Sequence, residues 1–173
     1  AKALYEQAIR LSFEDKGAKD ADAYIADKTR KPAAYNDPLG NYSATALSSI
    51  TIAWEDDSAE GADKAAIKER NLERIITQKW IAIFPLGVEA WSEHRRTGYP
   101  RLLPAVEDKS GGTVDLAQGA RRLPYPVEEY DKNNANLQDA VQMLNSESQG
   151  SRKGDGMGTR VWWDVCLLYT SPS

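Results

Sequence analysis

The side chains that could act as catalytic acids, bases or nucleophiles are few in this sequence. The only histidine, His94, lies between Glu93 and Arg95. A Ser–His–Asp triad needs a nucleophilic serine beside the imidazole, and the G-x-S-x-G turn that presents such a serine does not occur here. We therefore interpret His94 as a structural or surface residue.

Two carboxylates form the other arrangement with catalytic potential, because a facing pair can hydrolyse a glycosidic bond. Glu89 and Glu93 are four residues apart, which places both on one face of a helix. The same spacing is typical of a solvated helix face, and Arg96 follows Glu93 at ordinary ion-pair spacing. A helical glycan-active enzyme that uses Glu89 or Glu93 is therefore the least favoured interpretation.

Metal and nucleotide sites are not predicted. One Cys and one His exclude a Cys/His zinc site built from this chain alone. The segment 131–134 begins like a calcium loop, but Ala135 and Asn136 stand where a ligand oxygen and a glycine are needed. The glycine-rich segment 154–158 lacks the Lys-Ser/Thr that follows a phosphate-binding loop. We expect no catalytic residue, no metal site and no cofactor.

Charge and length limit the partners. The 22 basic and 26 acidic side chains give a net charge of −4, which argues against a nucleic-acid binder. No apolar stretch approaches the roughly 20 residues that span a bilayer. With 173 residues, of which 41% are hydrophobic, the chain is long enough for one packed domain.

Aromatic residues with polar groups are the feature that favours a binding function. The chain has five Trp and eight Tyr but only two Phe, and flat rings of this kind stack on the apolar faces of sugars. We predict that Tyr42 and Trp54 contact a ligand, with Asn41 as an amide partner for sugar hydroxyls. The alternative is that these aromatics anchor a long loop to the helical core.

The elements that must position these residues are helices separated by long irregular segments. Apolar residues at helical spacing and the capping signals near them predict helices over 2–14, 18–27, about 68–83, about 85–97 and about 136–144. Turn residues predict irregular segments over 29–57 and 101–119, with 50–54 extended.

The third of these helices has the strongest pattern. One face carries Leu72, Ile75, Ile76, Trp80 and Ile83, and the opposite face carries five charged residues from Lys68 to Arg74. Ser58 or Asp63 is the candidate cap at its start. Pro85 is expected in the first turn of the next helix, which Gly98 is expected to end.

Residues 72–101, LERIITQKWIAIFPLGVEAWSEHRRTGYPR, resemble a signature near the C-terminal end of SusD/RagB-type nutrient-binding outer-membrane lipoproteins of Bacteroidota. Three other segments resemble the same SusD-like branch in the same order. They are LYEQAIRLSFE at 4–14, RRLPYPVEEY at 121–130 and MGTRVWWD at 157–164.

The resemblance implies a mainly α-helical fold, the C-terminal part of a SusD-like tetratricopeptide-type scaffold with long irregular loops. It also implies a protein lipid-anchored at the outer membrane and exposed on the cell surface. Such a protein binds glycans or peptides and delivers them to a SusC-like TonB-dependent transporter, and it is not an enzyme. Family members are several times longer than this chain. The family's ligand contacts vary between members, so none is carried over.

We interpret the signature residues Trp80, Trp91, Arg95, Arg96 and Tyr99 as structural, because the helical spacing places Trp80 and Trp91 on apolar faces. Residues 1–164 are therefore predicted to form the C-terminal portion of a SusD-like domain. Residues 165–173, including Cys166, continue no pattern and resemble translated adaptor or vector sequence, so we predict a non-native tail. A second functional interpretation is an interaction module that contacts the transporter and has no ligand site of its own.

Overall fold

A computed structural model describes residues 1–116, 119–147, 154–161 and 164. Trp162, Trp163 and the predicted tail 165–173 lie outside the described residues. The described elements are α1 (Lys2–Asp15), α2 (Ala21–Ile25), β1 (Tyr35–Asn36), β2 (Ser43–Ala44), α3 (Lys64–Ala82), α4 (Gly87–Thr97), α5 (Val127–Lys132) and α6 (Asn134–Glu147).

The chain divides into two compact units, one over Ala1–Leu103 and one that begins at Pro104. The predicted mainly helical fold is confirmed.

The core of the first unit lies where α1 meets α2. Tyr5, Ile9 and Ile25 are buried there, and the half-buried aromatic rings that pack on them belong to Phe13, Tyr24 and Trp54. The Tyr5 hydroxyl donates a hydrogen bond to the carbonyl oxygen of Ile52 (2.7 Å). Burial raises the pKa of Tyr5 to about 12, so this hydroxyl remains a donor at neutral pH.

Helix α3 begins where one of its two candidate caps stands. The Asp63 carboxylate accepts a hydrogen bond from the backbone N–H of Ala66 (3.0 Å), which satisfies a donor that the first helical turn leaves unpaired. Ile67 and Ile76 are buried, whereas Ile75 and Ile81 are exposed. The apolar stripe is therefore only partly covered in this unit.

Part of the charged face of α3 is buried. Arg74 donates from Nε to the carbonyl oxygen of Thr51 (3.0 Å). The Asn71 amide donates to the carbonyl oxygen of Glu55 (2.9 Å) and accepts from the Glu55 N–H (3.2 Å). The side chains of Arg74 and Asn71 are both buried. Residues 50–55 thus run along α3 as a loop whose backbone groups are satisfied by helix side chains.

Helix α4 starts later than predicted. Pro85 precedes the helix, Leu86 is the N-cap and Gly87 is the first helical residue, so the prediction that Pro85 occupies the first turn is wrong. The carbonyl of Leu86 accepts from the Ala90 N–H (3.0 Å), which closes the first turn without Pro85. The helix ends at Gly98, as predicted. Gly98 takes a left-handed conformation (φ 75°) that glycine adopts without strain.

The signature residues on α3 and α4 differ in burial. Tyr99 is buried and its hydroxyl donates to Glu69 (2.8 Å), as a structural role requires. The half-buried Trp80 ring meets the His94 ring edge-on at 6.5 Å, and His94 Nδ1 donates to the carbonyl oxygen of Pro100 (3.0 Å). Trp91 is 49% exposed, and the Arg95 guanidinium lies 5.0 Å from its ring centre. The spacing that suggested a packed face for Trp91 was therefore misleading.

The second unit contains α5, α6 and the glycine-rich segment. Asp155 in that segment accepts hydrogen bonds from the Arg122 guanidinium, the Tyr125 N–H (2.9 Å) and the Tyr130 hydroxyl (2.5 Å). Leu137 on α6 is buried. The glycine-rich segment thus presents a carboxylate that binds the segment RRLPYPVEEY. Within the described residues, no helix is both long enough and apolar enough to span a bilayer.

Candidate functional site

A short hairpin presents the predicted site residues Asn41 and Tyr42. Strands β1 and β2 pair antiparallel, with Tyr35 opposite Ala44 and Asn36 opposite Ser43. The Asp37 carboxylate accepts from the backbone N–H groups of Leu39 and Asn41 (3.1 Å each), and the Asp37 N–H donates to the Tyr42 carbonyl (2.9 Å). These bonds close the turn, and the Leu39 N–H contributes most to the lowered pKa of Asp37.

The hairpin brings two tyrosine rings together. The ring centres of Tyr35 and Tyr42 are 6.2 Å apart with an interplanar angle of 43°. Tyr35 is exposed, Tyr42 is half-buried, and Asn41 is exposed at the end of the turn. An aromatic pair beside an amide can stack on a sugar ring and bond its hydroxyls. Tyr35 was not among the predicted contacts, although the turn residues between it and Tyr42 are a hairpin signal.

Trp54 lies in a different environment from the hairpin tyrosines. Its half-buried ring packs on the core cluster, with its centre 5.5 Å from that of Tyr5 and an angle of 51° between the rings. One side of the indole is therefore committed to the junction of α1 and α2. This placement agrees with the alternative that an aromatic residue anchors the irregular segment, and contact of Trp54 with a ligand stays a prediction.

The carboxylates of Glu89 and Glu93 are engaged by the same cation. Lys79 Nζ lies 3.0 Å from Glu89 and 2.7 Å from Glu93, and Arg96 binds Glu93 at 2.6 Å. Burial acts to raise the pKa of Glu93, but the hydrogen bonds from Lys79 and Arg96 together outweigh it and lower the pKa. A glycosidase acid needs a raised pKa, so this geometry favours an ion-pair cluster that joins α3 to α4.

A metal ion is held by several ligating side chains that converge on one point. Across the part of the chain that the structure describes, no group of three or more His, Cys, Asp or Glu side chains is arranged to hold a metal ion.

Comparison with known proteins places these features in a family. The sequence profile of the SusD-like family, described as SusD and RagB outer membrane lipoproteins, matches residues 1–164. A SusD homologue of Bacteroides thetaiotaomicron is 49% identical with a TM-score of 0.74, and the match covers 95% of this chain and 33% of that one. A SusD homologue of Bacteroides ovatus is 46% identical with a TM-score of 0.74, and the match covers 95% of this chain and 32% of that one.

A third solved structure has a described ligand. It is a chitin-binding SusD homologue of Flavobacterium johnsoniae, 41% identical with a TM-score of 0.73, and the match covers 96% of this chain and 32% of that one. The chain thus spans about a third of the length of these solved relatives. No curated protein matches the chain. The profile match over 1–164 shows that the chain belongs to the SusD-like family of SusD and RagB outer membrane lipoproteins.

Proposed function

We propose that the protein carrying this chain binds glycans at the cell surface and delivers them to a SusC-like TonB-dependent transporter, without catalysing a reaction. The observation that carries the proposal is the 41% identity, over 96% of this chain, to a chitin-binding SusD homologue. The family description as outer membrane lipoproteins supports the location.

The hairpin geometry supports the binding step. Tyr35 and Tyr42 present neighbouring rings, and Asn41 adds an exposed amide on the same turn. The ion-pair cluster of Lys79 with Glu89 and Glu93 supports the absence of catalysis, because it opposes the protonated state that a general acid must hold.

The test is calorimetric titration of the full-length protein with chitin oligosaccharides and other neutral oligosaccharides. Tyr42→Ala is expected to weaken binding by about 1–3 kcal/mol, the magnitude of one stacked ring, whereas Tyr42→Phe keeps the ring and most of the affinity. Asn41→Ala is expected to weaken the binding free energy by about 1 kcal/mol. Unchanged affinity in Tyr42→Ala and Asn41→Ala would place the ligand contacts outside this hairpin.

Trp54 needs a separate experiment because its ring also packs on Tyr5. Trp54→Ala changes stability as well as any ligand contact, so a melting curve must accompany each titration. A fall in affinity beyond that of a core variant such as Ile9→Ala would support a direct contact.

A second candidate function is an interaction module that contacts the transporter without holding a ligand itself. Exposed apolar residues at the junction of α3 and α4, including Phe84 and Val88, favour it. Full-length protein that binds a SusC-like transporter but no oligosaccharide would support this candidate over the first.

A further inference from the structure

A concave surface lies beside the segment that follows the hairpin. It is an open groove of about 620 Å³, a volume comparable with that of ligand pockets. We call it the basic groove, and its charged and hydroxyl-bearing lining consists of Lys31, Ser48, Ser49, Arg70, Glu73 and Arg101. Leu47 and Ile50 contribute apolar surface to the same lining.

Charge in the basic groove is unbalanced. Three of the four charged lining residues are cations, and the single carboxylate, Glu73, is buried. Arg101 lies 3.5 Å from Glu73, yet its own side chain is 54% exposed. The groups that a solute meets at this surface are therefore mainly positive.

The three cations differ in how far their charges are already compensated. Arg70 is held by Glu55, and Arg101 by Glu73. Lys31 is exposed and forms no ion pair within the described residues. An incoming anion would thus find one uncompensated ammonium group and two guanidinium groups held in place by their carboxylate partners. Guanidinium groups suit carboxylate and sulfate because their parallel N–H groups match pairs of oxygens.

Ser48 adds a hydroxyl donor to the basic groove. Its Oγ accepts from the Ile50 N–H (3.2 Å), which orients the hydroxyl and leaves its proton to donate. Ala46, also in the lining, is four residues after Tyr42, so the groove follows directly on the hairpin in the chain.

We propose that the basic groove binds the acidic group of an anionic oligosaccharide, either a uronic-acid carboxylate or a sulfate ester. The proposal rests on the proposed glycan-binding function and narrows its substrate class. Lys31 supplies the attraction, Arg70 and Arg101 supply directed N–H donors, and Leu47 faces the apolar side of the sugar.

The test uses calorimetry on the full-length protein with three probes. Trigalacturonic acid carries carboxylates, a sulfated carrageenan tetrasaccharide carries sulfate esters, and chitotriose is neutral. We expect one or both acidic probes to bind more tightly than chitotriose, with affinity that falls as NaCl is raised from 50 to 300 mM. Comparison of the two acidic probes distinguishes carboxylate from sulfate.

Lys31 is the residue to vary because its exposed side chain contributes little to folding. Lys31→Ala is expected to lower the affinity for the acidic probe about threefold or more, and Lys31→Glu is expected to lower it further. Lys28→Ala removes the same charge outside the groove lining and is the matched control, with less than about a twofold effect expected. Melting temperatures of all three variants should match the wild type.

The outcomes separate this inference from the proposed function. Binding of chitotriose alone, or acidic-probe affinity that Lys31→Glu leaves unchanged, overturns the inference and leaves glycan binding standing. Binding of none of the three probes overturns the inference. If the other neutral oligosaccharides named for the proposed function do not bind either, the proposed function is overturned as well.

Discussion

Two arginines one helical turn apart share the carboxylate of Glu55. Arg70 forms two hydrogen bonds with it and Arg74 lies 3.2 Å from it, but the Arg74 side chain is 6% exposed and that of Arg70 is 42% exposed. Arg74 also binds Thr51 and Asn71. Burial strengthens charge-assisted hydrogen bonds and makes an unpaired partner costly, whereas water screens an exposed pair.

Arg74→Ala is therefore expected to lower the free energy of unfolding by about 2–3 kcal/mol, because the Thr51 carbonyl loses its side-chain donor and Asn71 loses one of its hydrogen bonds. Arg70→Ala, the matched control, is expected to cost much less, because water screens its exposed ion pair. Urea denaturation of both variants measures the difference. Equal losses would show that the buried arginine does not hold the loop.

Asp155 is the residue whose titration should affect stability in the second unit. Its burial acts to raise the pKa, but the hydrogen bonds from Tyr130, Arg122 and the Tyr125 N–H outweigh that effect and lower it from 3.8. Because the folded-state pKa is the lower one, the stabilisation is complete above the unfolded value. It is lost as pH falls through the folded value.

Asp155→Asn should accordingly lower the free energy of unfolding at pH 7 by about 2 kcal/mol. The gap between wild type and variant should begin to narrow as pH falls from 5 towards 3, because the unfolded wild-type chain then takes up a proton at Asp155 before the folded state does. Thermal melts across this pH range measure it. Asp139→Asn, at an exposed position on α6, is the control, and a gap that widens on acidification would contradict the prediction.

At the scale of elements, the glycines at the two ends of α4 have different backbone conformations. Gly98 after the helix has φ 75°, whereas Gly87 in the first turn lies in the ordinary helical region. A Cβ at either position would meet nothing within 4 Å. Backbone conformation alone therefore distinguishes the two sites.

Gly98→Ala is expected to destabilise the protein by about 1 kcal/mol, because a side chain disfavours the left-handed conformation. Gly87→Ala is expected to be neutral or to stabilise by about 0.5 kcal/mol, since alanine has less backbone freedom to lose. Denaturation curves of the pair provide the measurement, and the same sign of change in both would contradict the backbone explanation.

At the scale of the whole molecule, apolar surface is concentrated along the chain where α3 joins α4. Phe84 is 77% exposed and Val88 is 81% exposed, and Ile81, Leu86 and Trp91 are exposed in the same stretch. Neighbouring exposed apolar residues of this kind mark surfaces that bind other surfaces.

We expect the 173-residue chain by itself to bind an apolar fluorescent dye and to self-associate. The double variant Phe84→Ser/Val88→Ser should reduce both signals. Leu123→Ser, which changes an exposed leucine of the second unit, should reduce them less. A monodisperse, dye-negative wild-type chain would show that this surface does not drive association.

Local features were predictable from the sequence because neighbouring residues determine them. Helix α1, the Asp63 cap and the Gly98 stop follow from spacing, a short acceptor side chain and the conformational freedom of glycine. The four motif segments were sufficient to predict the family, and the profile match over 1–164 confirms it. The predicted contacts Tyr42, Trp54 and Asn41 stay predictions.

The tertiary structure decided which surfaces face each other. Periodicity separates the two faces of α3, but only the fold shows that Arg74 and Asn71 lie under the loop at 50–55. It likewise pairs Tyr42 with Tyr35 and sets Trp54 against Tyr5. The physical reason is that a loop needs hydrogen-bond partners for its buried backbone groups, and those partners are distant in sequence. Helical spacing contains no information about them.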